Sequence, residues 1–62
     1  MTTIKSIKTK TYEIEMLESK AGFYYIKTTK QGAKESDMSS PLDDYLNATI
    51  VFDIKVEQLE GN

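Results

Sequence analysis

Residues 49–59, TIVFDIKVEQL, constrain the fold more than any other stretch of the chain. Ile50, Phe52, Ile54 and Val56 share one parity, Asp53, Lys55 and Glu57 share the other, and Val51 is the exception. Such alternation, rich in β-branched residues, predicts a half-buried strand over 49–59. Ile50, Phe52, Ile54 and Val56 would be its core face, and it would lie in the interior of a sheet.

The rest of a short chain decides what such a strand can pair with. Sixty-two residues make a single domain, near the size at which a hydrophobic core alone holds a fold. A core of this size supplies about 3–5 kcal/mol. There is no cysteine for a disulfide, and without histidine or cysteine there is no zinc site of the usual kind. Association with a second copy or with a protein partner is the remaining source of added stability.

Upstream, Tyr12, Ile14 and Met16 alternate with Glu13 and Glu15, and Phe23 to Lys30 is rich in aromatic and β-branched residues. Between them Ser19-Lys20-Ala21-Gly22 is turn chemistry. A three-residue loop over 20–22 would place Gly22 where a left-handed residue is needed. The resulting hairpin over 12–30 sets Leu17 against Tyr25, Met16 against Ile26 and Glu15 against Lys27. A slip of one residue would move Ile26 among the glutamates.

Residues 1–10 read as a weakly ordered lead-in or an edge strand. Ile4 and Ile7 differ in parity, which a bulge before Tyr12 reconciles, and Lys5, Lys8 and Lys10 suit an edge. Residues 31–40 are polar, with no usable period, and read as a loop. A short helix is expected over 41–48, with Ser40 as its cap, Pro41 at its first position and Asp43 completing a capping box. Residues 60–62 read as a frayed tail. The architecture expected is α+β: a small antiparallel sheet of three to four strands with one short helix, in the order ββαβ. A small curved β-barrel is the alternative.

The composition argues against catalysis. The absence of histidine and cysteine removes the common triads and thiol nucleophiles, and no cofactor motif is present. Glu13 and Glu15 lie opposite Lys27, where a solvated ion-pair cluster explains them better than acid–base chemistry. Asp37, Asp43 and Asp44 fit no calcium-loop spacing; for Asp43 and Asp44, a place at a helix start accounts for the charge. No apolar run reaches the length of a membrane span, and the lysine-rich start lacks an apolar core of signal-peptide length. A cytoplasmic location is therefore expected, and the Asn47-Ala48-Thr49 sequon is read as chance.

Charge and apolar surplus bear on partners. Residues 1–34 hold seven lysines against three glutamates, and residues 35–62 hold seven acids against Lys55. Leu17, Phe23, Tyr25 and Val51 have the parity opposite to the core set, so they mark a second apolar sheet face. That face is either the expected protein-binding surface, for a partner or for self-association, or is buried internally by a curled sheet or by the N-terminal segment folding across it. The alternative is single-stranded nucleic acid, with Phe23 and Tyr25 stacking among Lys20, Lys27 and Lys30. The absent arginine and the acidic second half oppose it.

Overall fold

The computed structural model describes residues 1–60 of the chain. Four strands precede one helix: β1 (Thr2–Lys8), β2 (Tyr12–Glu18), β3 (Tyr24–Lys30), β4 (Ser36–Met38) and α1 (Tyr45–Glu60). The strands pair in the order β1-β2-β3-β4, each antiparallel to its neighbour. This is the expected α+β class, a small antiparallel sheet with one helix. The element order is ββββα and not ββαβ, and the sheet is open, so the barrel alternative does not apply.

The 12–30 hairpin has the register that its turn and its pattern require. Leu17 pairs with Tyr25, Met16 with Ile26 and Glu15 with Lys27. Gly22 closes the turn at φ +89°, in the left-handed region that glycine enters without a Cβ penalty. The Ser19 amide donates to the Phe23 carbonyl at 2.8 Å, and the Phe23 amide returns a bond to Ser19 Oγ at 3.1 Å.

β1 is a regular edge strand interrupted once. Its register shifts between Thr3 and Lys5, so that Thr3 faces Leu17 while Lys5 faces Met16. The shift is a bulge at Ile4, and it resolves the parity conflict by delivering Ile7 opposite Ile14 on the core side.

Residues 49–59 are not a strand. They form most of a sixteen-residue helix. Phe52 is buried in both readings, but Ile50 and Ile54 are half exposed while Ala48 is fully buried and Val51 packs against the core. Ala48, Val51, Phe52, Val56 and Leu59 follow the helical spacing i, i+3, i+4, i+8, i+11, superimposed on the period-two pattern. Length separates the two, since eleven residues exceed the usual strand and no glycine or proline interrupts the run from Leu42 to Glu60. Packing agrees: one more strand would leave the face bearing Ile14, Met16 and Ile26 uncovered, whereas a helix covers it.

Three further expectations change as well. The helix does not start at Pro41. Leu42 instead makes an isolated antiparallel bridge with Tyr24, the Tyr24 amide donating to the Leu42 carbonyl at 2.7 Å. The cap is Asp44, whose Oδ2 accepts from the Asn47 amide at 3.1 Å, and not Ser40. The 31–40 loop contains β4, which pairs Lys27 with Met38 and Thr29 with Ser36. Of the expected tail, Glu60 ends α1, and residues 61–62 lie outside the described residues.

The core is therefore a single layer between sheet and helix. Ile14, Met16 and Ile26 from β2 and β3 meet Ala48 and Phe52 from α1. Ile7, Tyr24, Leu42, Val51, Val56 and Leu59 close its margins.

Candidate protein-docking surface

The four residues expected to form a second apolar face do not come together. Val51 lies on α1 against the core, on the helix side of the sheet. Leu17 is only 8% exposed on β2, between Thr3 and Tyr25 in register. Tyr25 is half-buried, and Phe23, just before β3, keeps 39% of its surface. The face of the sheet away from α1 thus offers Phe23 and part of Tyr25, flanked by Glu13, Glu15 and Lys27, a mixed-charge surface with little free apolar area.

The aromatic–basic strand divides in the same way. Tyr25 and Lys27 share the outer face, whereas Lys30 has the parity of Ile26 and Thr28 and pairs with Tyr12. Lys20 stands in the exposed turn. Phosphate approaching Lys27 would meet Glu15 across the strand pair.

The apolar surface lies on α1. Leu46, Ile50 and Ile54 are 66%, 49% and 50% exposed. Spaced by four residues, they form one ridge of about 12 Å along the helix, on the side opposite Ala48 and Phe52. This ridge escapes a period-two reading, which assigns Ile50 and Ile54 to the core. The signal that finds it is a helix with one apolar stripe too many: the core uses Ala48, Val51, Phe52, Val56 and Leu59, and the remaining large apolar residues must face out.

Ionised groups around the ridge are mostly acidic, with Lys5 of β1 beside Asp53 as the exception. Asp53 and Glu57 run along one flank, Asn47 and Gln58 along the other, and Asp43 and Asp44 stand ahead of the first turn, all of them exposed. The one lysine of α1, Lys55, is half-buried on the sheet side, where it lines a cleft of about 170 Å³ with Val51, Ile26, Asp37 and Met38. Asp53 Oδ1 is 3.8 Å from Lys5 Nζ, a contact exposed on both sides and therefore weak.

At the start of the helix Tyr45 packs edge-on against Tyr24, with ring centroids 5.7 Å apart and planes at 66°. Burial, reinforced by the Glu18 carboxylate, pushes the Tyr24 phenol above its usual range. Among the described residues no three acidic side chains converge to hold a metal ion, and no helix is long and apolar enough to cross a membrane.

The chain matches no protein-family model, and no curated protein or solved structure shows significant similarity to it.

Proposed function

We propose that the protein is a cytoplasmic, non-enzymatic protein-binding module that docks through the outer face of α1. One observation carries this reading: Leu46, Ile50 and Ile54 form a continuous exposed apolar ridge that the fold itself does not use. The core is complete without them. Exposed large apolar side chains are ordinary when scattered and informative when aligned, because keeping a contiguous patch in water favours association. An apolar centre with polar flanks also has the layout of a protein–protein interface.

Site-specific crosslinking tests the reading. A photoreactive residue at Ile50 should give a discrete adduct in the cells that express the protein, and one at Lys20, in the hairpin turn, should not. Combining it with Leu46→Ser and Ile54→Ser should remove the adduct. The same products from both positions, or none from position 50, would refute docking by this face.

A further inference from the structure

We infer that the occupant of the α1 ridge is a cationic amphipathic helix of another protein, not a second copy of this chain, a membrane or a nucleic acid. The inference rests on the docking role proposed for the ridge and adds the chemistry of what binds there.

Shape selects a helix. Leu46, Ile50 and Ile54 form an i, i+4, i+8 row, and rows of this spacing seat in the grooves between equivalent rows of a second helix. Charge selects its sign. Asp53 and Glu57 beside the ridge and Asp43 and Asp44 ahead of it are exposed acids; the single lysine of the helix is turned toward the sheet, and Lys5 of β1, 3.8 Å from Asp53, offsets only one of the four. A partner with lysine or arginine beside an apolar stripe meets opposite charge along the Asp53–Glu57 flank and at Asp43 and Asp44, and polar Asn47 and Gln58 on the other flank, which speeds encounter and fixes orientation.

The same rim disfavours the other occupants. A two-fold dimer presents one patch to its own copy, so two α1 ridges would set acids against acids. Anionic lipid surfaces attract amphipathic helices whose polar face is basic, the reverse of this one. Phosphate backbones are repelled likewise.

The test uses the isotope-labelled full chain and two synthetic amphipathic helices, identical except that one carries lysine and the other glutamate on its polar face. The Leu/Lys peptide should shift the amide resonances of residues 46–57 and bind more weakly as salt rises. Its affinity should fall by about tenfold or more in a Leu46→Ser/Ile50→Ser/Ile54→Ser variant and again in an Asp53→Asn/Glu57→Gln variant. Circular dichroism melts establish that both variants are folded. The Leu/Glu peptide should not bind. If both peptides bind alike, or the Asp53→Asn/Glu57→Gln variant keeps its affinity, the charge assignment is overturned while docking by the ridge stands. If neither peptide reaches the ridge and position 50 crosslinks to nothing, docking itself fails. A mass that rises with concentration and depends on Ile50 would identify a second copy as the occupant. Binding to phosphatidylserine vesicles or to a single-stranded oligonucleotide would overturn the inference in favour of those ligands.

Discussion

Lys5 holds its ammonium 5.0 Å from the centroid of the Phe52 ring, so a side chain of the edge strand lies over the most deeply seated aromatic of the helix. The bulge at Ile4 makes this possible by turning Lys5 to the Met16 side of the sheet. The contact joins the first element of the chain to the last, and β1 gains from it an anchor that its own exposed residues do not supply.

Lys5→Met keeps much of the aliphatic stem and deletes the charge; it should lower stability by about 0.5–1 kcal/mol in urea unfolding. Asp53→Asn, which removes only the exposed ion pair, should change it by less than about 0.5 kcal/mol. The reverse ranking would mean that the ion pair and not the ring holds Lys5 in place.

Substitutions along α1 separate helix from strand directly. Ile50→Ser and Ile54→Ser should each alter stability by no more than about 0.5 kcal/mol, since both side chains face water. Phe52→Ala should cost about 3–5 kcal/mol, enough to unfold a domain this small. Val51→Ala, small as the change is, should exceed both serine substitutions. A strand over 49–59 would give the opposite order, with Ile50 and Ile54 sensitive and Val51 indifferent.

That contrast also marks how far residues alone disclose this protein. The 12–30 hairpin was legible because turn and pattern constrain each other: Gly22 fixes the loop, and only one register keeps Ile14, Met16 and Ile26 together. The bulge in β1 was legible from the parity of Ile4 and Ile7. Residues 49–59 misled because Phe52 and Val56 satisfy both periods, while Ile50 and Ile54 satisfy only the one that tertiary packing rejects. The candidate site moved with them. Placing Val51 and Leu17 on a common exposed face presupposed that 49–59 was a strand, and once it is a helix the free apolar surface passes to Leu46, Ile50 and Ile54. β4 was hidden for another reason: three exposed polar or flexible residues carry no pattern, and only their pairing with Lys27 to Thr29 defines them.

Gly22→Ala should cost about 1–2 kcal/mol. A Cβ there would meet no atom within 4 Å, so the cost is purely that of the left-handed backbone. Gly22→Asn should recover part of the loss, because asparagine visits that conformation more readily. Equal losses for the two would indicate a steric origin instead.

Tyr24 should make stability fall at alkaline pH. Its folded phenol titrates above the ordinary tyrosine value of 10.0, through burial and then the Glu18 carboxylate. Below that value both folded and unfolded phenols are neutral and pH has no effect through this group. Above it the unfolded phenol ionises first, so the native state holds more protons and its advantage shrinks until the folded phenol also ionises. The urea midpoint should therefore decline between about pH 9 and 11 more steeply in the native protein than in Tyr24→Phe. Parallel declines would show that other groups account for the loss.

The position of α1 after the whole sheet has a consequence for how the protein is made. During translation Ile14, Met16 and Ile26 are joined well before Ala48 and Phe52, the residues that cover them. The hairpins can pair early, but their inner face stays wet until the helix that follows them has emerged from the ribosome, so the core closes in a later step. Until then the growing chain carries an apolar sheet face and two open edges, the kind of species that chaperones bind and that aggregates when they do not. Premature termination before Tyr45 would then yield material for proteolysis, not a smaller working domain.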